Sequence, residues 1–159
     1  MTSEADFQPI GAFVSARASE GALTIIEDAQ GRLLMQLRDL YEGIYWPGKW
    51  GLIGGGIEPG EDILTAGLRE IKEETGLSLT PEMLTPFAKI NSVSRSGSKL
   101  FIFRTRLAIR PCDIRLGEGA GFAFLTPAQL ADIDILDSLV PVMQLYLEMK
   151  IEGPLYHMP

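Results

Sequence analysis

Residues 55–77 read GGIEPGEDILTAGLREIKEETGL, and the pattern inside them governs how the rest of the chain is read. At about 100° per residue, Ile63, Leu64, Gly67, Leu68 and Ile71 fall on one apolar stripe of a helix predicted from Asp62 to Thr75. Glu70, Glu73 and Glu74 fall on the adjoining arc, and Glu74 projects into the edge of the stripe. Local rules fail there three times. Glu70 and Glu74 are like charges one turn apart. Glu73 and Glu74 sit near the C-terminal end, where the helix dipole disfavours anions. A carboxylate leaning into a core is costly unless it is paired or bound to metal. Lys72 is the only cation on positions 70 to 74 and points away from the glutamates. A solvated Glu-rich face would account for the charges. It would not account for the glycine-rich loop Gly54-Gly55-Gly56 and the Pro59-Gly60 turn that lead into the helix. Breaches of local rules are expected at functional sites, and this combination is a means of holding divalent cations against phosphates.

Composition narrows the classes. The chain has 159 residues, 46% hydrophobic and 22% charged, with 17 glycines and 10 prolines. That fits one loop-rich α/β or α+β domain with a real core. The net charge of −7 argues against a nucleic acid held on a basic surface. It does not argue against a small phosphorylated substrate, because bound cations invert the local field. Cys112 is alone, so no intrachain disulfide forms and a reducing compartment is expected; beside Pro111 it reads as a small filler rather than a nucleophile. His157 is the only histidine and lies near the C-terminal end, which disfavours a His-based triad or zinc site. No apolar run approaches the ~18 residues of a membrane span. The first ten residues carry Glu4 and Asp6 and no basic run, so no signal peptide is expected.

Along the chain, Ala12–Ala18 and Ala22–Glu27 read as strands, with a hairpin turn at 28–31 leading into a strand over Arg32–Arg38. Leu40–Lys49 reads as a loop holding Tyr41, Tyr45 and Trp46, and Trp50–Ile53 as a short strand delivering the glycines. Pro81–Leu84 suggests one helical turn. Phe87–Ser94 and Lys99–Ile109 suggest a hairpin around Ser96-Gly97, with Phe101 and Phe103 on one face of a half-buried strand. Gly121–Leu125 reads as a strand, Thr126-Pro127 as a capped helical turn, and Ser138–Ile151 as a final amphipathic helix. The expected fold is a mixed sheet between helical layers.

The same residues resemble the Nudix box, G-x5-E-x7-R-E-U-x-E-E-x-G-U with U apolar: Gly55, Glu61, Arg69, Glu70, Ile71, Glu73, Glu74, Gly76 and Leu77 match without departure. Seven fixed matches at roughly 7% usage each arise by chance at about 10⁻⁸ per start position. The resemblance implies a Nudix-type α/β/α sandwich with a central mixed β-sheet, occupying residues 1–159 as a single domain. It implies a Mg²⁺-dependent hydrolase, with Mn²⁺ as a substitute, in which water attacks phosphorus of a diphosphate linkage. Carried over to this chain, Glu70 and Glu74 are the expected principal metal ligands. Glu73 stands close behind them, and the Gly54 carbonyl is a further ligand. Glu61 and Arg69 orient the loop and the glutamates. Gly55 serves close approach and Gly76 the helix stop. Relatives often place another glutamate in a later loop as ligand or general base. Glu118, between Gly117 and Gly119, is the candidate, and an ordinary loop carboxylate is its plain alternative.

Substrate contacts are less specific. Arg38, Lys49, Lys89, Arg95, Lys99 and Arg104 are candidates for phosphate contacts, and Tyr45, Trp46 and Phe122 for stacking a base or sugar. Asn91–Arg95 holds neither the proline nor the tyrosine that marks some substrate classes in the family. The expected substrate is therefore a small nucleotide, a nucleoside diphosphate sugar first and an ordinary or damaged nucleoside triphosphate second. A non-catalytic nucleotide-sensing module is disfavoured, because every box residue is kept and little length remains for a DNA-binding domain. A cytoplasmic enzyme is expected, with neither membrane nor nucleic acid as partner. Homodimers are common among relatives, and no interface is legible in the sequence.

Overall fold

The computed structural model describes residues 2–16, 19–93 and 97–159. Its centre is strand β2 (Glu20–Glu27). β2 runs parallel to β7 (Lys99–Ala108) over its whole length, from Glu20↔Lys99 to Glu27↔Arg106. On its other side it runs antiparallel to β5 (Ile53–Gly56). β6 (Thr85–Asn91) pairs antiparallel with β7, with an irregularity between Pro86 and Ala88, and the short β1 (Gln8–Pro9) adds to β6 in parallel. A second antiparallel group has β3 (Leu33–Leu37) between β4 (Trp50–Gly51) and β8 (Gly121–Leu125). The two groups meet at Glu27↔Leu33. Near the C-terminal end, β9 (Tyr156–His157) pairs in parallel with the far end of β7.

The turn between β2 and β3 shows how local chemistry sets this layout. Asp28 is fully buried and accepts hydrogen bonds from the N–H groups of Gln30 and Arg32, at 3.0 and 2.9 Å, and from the Arg32 guanidinium at 2.7 Å. Gly31 takes φ +77. An aspartate bonding its own backbone and a glycine in the left-handed region make the tight reversal expected at 28–31.

Helix α1 (Ile63–Thr75) covers one face of the sheet and α3 (Val140–Met149) the other; α2 (Pro127–Leu130) is a single turn capped by Thr126. Strand side chains alternate between two cores. Ala22, Ile26, Phe101 and Phe103 join Ala66 and Ile71 of α1, while Ile25 and Ile102 join Val142, Met143 and Tyr146 of α3. The chain thus has the expected α/β/α arrangement.

Several sequence expectations are corrected. Residues 12–16 form no strand. The Asn91 side-chain amide accepts from the Val14 N–H at 2.6 Å and donates to the Val14 carbonyl at 3.1 Å, satisfying the groups a strand would pair. Residues 17 and 18, the end of that segment, lie outside the described residues, as do Arg95 and Ser96 of the expected β6–β7 turn. Gly54–Gly56 are not a loop. They are the body of β5, paired at Leu23↔Gly54, Ala22↔Gly55 and Gly21↔Gly56. Strand β7 is buried on both faces at Phe101–Phe103, because α3 covers the side that a half-buried strand would expose. Cys112 is exposed in a 3-10 turn rather than filling space.

Candidate active site

Helix α1 is fixed at both ends. Asp62 caps it, accepting from the N–H groups of Leu64 and Thr65 at 3.0 and 3.2 Å. Gly76 ends it at φ +77, its N–H bonding the Lys72 carbonyl at 3.0 Å. Lys72 itself reaches the Gly76 carbonyl, clear of the glutamates. Between these ends the 3.6-residue period carries Glu70 and Glu74 onto the edge of the apolar stripe, and they are buried at 8% and 4% exposure. The Glu73 side chain, on the outer arc, is more than half exposed.

The glutamates face the glycines of β5. The Gly54 N–H donates to Glu74 Oε2 at 2.9 Å. A Cβ at Gly55 would lie 2.7 Å from the Glu70 carboxylate, so only glycine lets that carboxylate rest against the strand. Arg69 ties the assembly together. It donates to both oxygens of Glu61 at 2.7 and 2.9 Å, to Glu70 Oε1 at 2.7 Å, to Glu73 Oε2 at 3.2 Å and to the Gly56 carbonyl at 2.9 Å. Glu61 also accepts from the Glu58 N–H, closing the turn before the helix. Glu61 and Arg69 therefore hold the strand–helix connection in place.

Glu118 arrives from a loop distant in sequence. The N–H groups of Arg115 and Gly117 bond the Thr75 and Glu74 carbonyls at 2.8 and 3.0 Å, satisfying the open end of α1. Beyond that clamp Glu118 faces Glu74 and Glu70 closely enough to shift both. One cleft of about 320 Å³ gathers Glu70, Glu73, Glu74 and Glu118 with Gly54–Gly56. A second hollow opens beside it, between Tyr45, Trp46, Leu100 and Leu136. Arg38 lines both, and among the described residues it is the only lysine or arginine that does.

The other sequence candidates among the described residues lie elsewhere, and Arg95 is outside the described residues. Lys49 pairs with Asp134 and Asp137, and Lys89 and Lys99 pair with Glu4. Arg104 lines neither hollow. Phe122 packs edge-on to Phe124 in the α1-side core. The sequence reading missed Gln36, which is 7% exposed and bonds the Glu118 carbonyl at 2.8 Å. The available signal was an amide in register with Leu34 on the core-facing side of an apolar strand.

Burial sets the electrostatics. It pushes Glu74 up to about 8, against the Gly54 N–H that favours the charged form and with added repulsion from Glu70 and Glu118. Burial also raises Glu70, against Arg69, which lowers it. Glu61 goes the other way, held below the usual carboxylate range by its hydrogen bonds from Arg69. No three acidic, His or Cys side chains among the described residues are drawn together tightly enough to enclose an ion; Glu70 and Glu73 are turned toward Arg69. The donor set still fits a hard cation. It consists of carboxylate oxygens, two of them buried with less compensating charge than they need.

Three comparisons bear on identity. The NUDIX domain family model matches residues 18–140. The chain is 35% identical over 121 residues to the nucleoside triphosphatase NudI of Escherichia fergusonii, covering 70% of this chain and 84% of that protein. Among solved structures, MutT from Aliivibrio salmonicida and Vibrio cholerae superposes with a TM-score of 0.67 at 20% identity, over 82% of this chain and 98% of that one. A bifunctional NMN adenylyltransferase/ADP ribose pyrophosphatase from Francisella tularensis, complexed with AMP and a Mn ion, gives 0.64 at 20% identity, over 84% of this chain and 42% of that one. With the family match spanning most of the chain and Glu70, Glu73 and Glu74 of the box lining one cleft, this chain belongs to the Nudix family of pyrophosphohydrolases.

Proposed function

We propose that the chain hydrolyses a nucleoside triphosphate by attack of water on phosphorus, breaking a P–O–P bond. The observation that carries the choice of substrate is the 35% identity to a protein described as a nucleoside triphosphatase, over 84% of that protein. It moves the weight from nucleotide sugars, the first expectation from sequence, to triphosphates. Two adjoining hollows support the reading. The acidic one suits phosphates that carry their own divalent cation, and the one between Tyr45 and Trp46 offers apolar and aromatic surface to a nucleoside. Arg38, at the junction, is placed to meet a phosphate oxygen.

Glu70, Glu73 and Glu74 would hold Mg²⁺ or Mn²⁺, with Gly54 and Glu118 beside them. The cation would neutralise phosphate charge and acidify a bound water. The residues of the chain supply the rest. Arg69 and Glu61 hold Glu70 against Gly55. The Gly54 N–H aims Glu74. Glu118, with neither a cation nor a backbone N–H on its carboxylate among the described residues, accepts the proton of the attacking water. We read residues 1–159 as one domain, since Phe7, Tyr156 and Met158 pack into the same core as α1, and as cytoplasmic from the reducing compartment its lone Cys112 suits. No helix among the described residues is long and apolar enough to cross a membrane.

The test is phosphate or pyrophosphate release from a panel of triphosphates, nucleotide sugars and dinucleotides, with Mg²⁺, with Mn²⁺ and with chelator. Cation-dependent turnover is expected to be greatest on a triphosphate. A nucleotide sugar as the preferred substrate would restore the first expectation, and cation-independent cleavage would overturn the role of the glutamates.

A further inference from the structure

Gln36 is a buried polar side chain that nothing so far has used. It stands on β3 in register with Leu34, which lies in the α1-side core, and with Arg38, which lines the cleft. Its Nε2 donates to the Glu118 carbonyl at 2.8 Å. The loop crosses directly above it. The Ala120 N–H bonds the Leu37 carbonyl at 2.9 Å, and a Cβ at Gly119 would meet that carbonyl at 2.8 Å and the Gln36 side chain at 3.2 Å. On the other side of Glu118, a Cβ at Gly117 would lie 2.0 Å from the Glu73 carbonyl. Glu118 is thus the one side-chain-bearing residue between two glycines. One glycine is pressed onto the end of α1 and the other onto β3.

We infer that Gln36 is a positioning residue for turnover: its amide holds the Glu118 carbonyl, and through it the Glu118 carboxylate, at the angle that faces Glu70 and Glu74. Glu118 is exposed, and on an unanchored backbone the rotations of its side chain would spread the carboxylate over many directions. The clamp fixes the backbone from which that side chain lines the cleft, and a displacement of about 1 Å at a reacting group is enough to lower a rate by about 10²-fold. Backbone bonds at Arg115, Gly117 and Ala120 fix the loop's course, but each lies before or after Glu118. Among the described residues, Gln36 alone bonds the Glu118 carbonyl. The inference rests on the proposed role of Glu118 in the reaction.

The experiment compares Gln36→Met, which keeps length and volume but loses the donor, with Glu118→Gln and with the double variant. Gln36→Met is expected to lower kcat tenfold or more, with KM within twofold and the melting temperature within a few degrees. In the Glu118→Gln background the same substitution should change kcat less than twofold, because there is no carboxylate left to aim. Hydrogen exchange supplies a readout independent of turnover: the Gly117 and Ala120 amides should lose protection in Gln36→Met, while the α1 amides keep theirs. An equal loss in both backgrounds would overturn the inference, as would unchanged kcat or unchanged protection at Ala120. If Glu118→Gln itself leaves turnover intact, the proposed role of Glu118 falls and this inference with it. If Glu118→Gln is impaired and Gln36→Met is not, the inference alone falls. Gln36→Asn, which keeps the amide on a shorter arm, replaces Gln36→Met if the latter does not fold, with the same expected outcomes.

Discussion

Replacing Glu74 by glutamine should stabilise the cation-free protein at alkaline pH and abolish turnover. Glu74 is 4% exposed, and burial together with Glu70 and Glu118 raises its carboxyl from an ordinary 4.5 to about 8. The folded state therefore binds a proton that the unfolded chain has already released. The stability this proton provides is fully present below about pH 4.5 and is lost as the pH rises through about 8. At 1.36 kcal/mol for each tenfold change, that gap sets a ceiling of about 5 kcal/mol. Proteins respond to buried charge with an effective dielectric near 20 rather than 4, so about 2 kcal/mol is the expected realised penalty. Glutamine removes the penalty while its side-chain oxygen keeps the Gly54 N–H bond, and its amide can donate to Glu118. In a chain of this size, about 2 kcal/mol corresponds to about 4–8 °C. Scanning calorimetry in chelator at pH 4.5 and pH 8.5 should show matched melting temperatures at the first and the variant higher by that amount at the second. Saturating Mg²⁺ should raise the wild type more than the variant. A melting difference that does not change with pH, or a variant less stable at pH 8.5 in chelator, would refute the burial argument.

Substitutions at four further positions test other parts of the site. Gly55→Ala should fold, since the obstructing atoms are the mobile end of Glu70, but it should displace that carboxylate and lower kcat by tenfold or more. Gly54→Ala should lose stability instead, because its Cβ would meet the Ala22 carbonyl at 2.2 Å; a loss of about 3 kcal/mol in urea denaturation is expected. Arg69→Ala leaves Glu61 and the buried Glu70 without their shared partner and should cost about 2–3 kcal/mol at pH 7 by the same assay. Arg69→Lys should recover little, because one ammonium cannot replace a fork that reaches five acceptor atoms on four residues. Asp62→Ala should remove about 1 kcal/mol with kcat unchanged, since it removes only a helix cap.

What the sequence revealed and what it hid follow from how far each interaction reaches along the chain. The α1 boundaries, the Asp28 turn and the Thr126 cap were legible because donor and acceptor lie within four residues of each other. The convergence of Glu70, Glu73 and Glu74 was legible because helical period fixes it. The strand character of Gly54–Gly56 was not, since glycine carries no β propensity and only its pairing with β2 reveals it. Residues 12–16 had the alternation of a strand but no neighbour to pair with, since Asn91 satisfies Val14 from its side chain. Glu118 could be nominated from its flanking glycines. The reason for those glycines could not be seen, because the surfaces they press on, at Glu73 and Leu37, are some 40 and 80 residues away.

Glu61 and Glu74 show how one helix and one arginine divide labour among chemically identical groups. Glu61 receives two charge-assisted hydrogen bonds from Arg69 and a backbone N–H from Glu58, and its carboxyl titrates below the ordinary range. It has what it needs and serves as scaffold. Glu74 receives one backbone N–H, faces two other carboxylates and titrates near 8. It lacks positive charge, and among the described residues lining the cleft only Arg38 carries any. Had the chain placed a second arginine beside Glu74, the site would be more stable and would have less need of a cation. The missing partner is therefore the informative feature: the environments push these like groups in opposite directions, which supports the proposed division in which Glu61 holds the site and Glu74 acts in it.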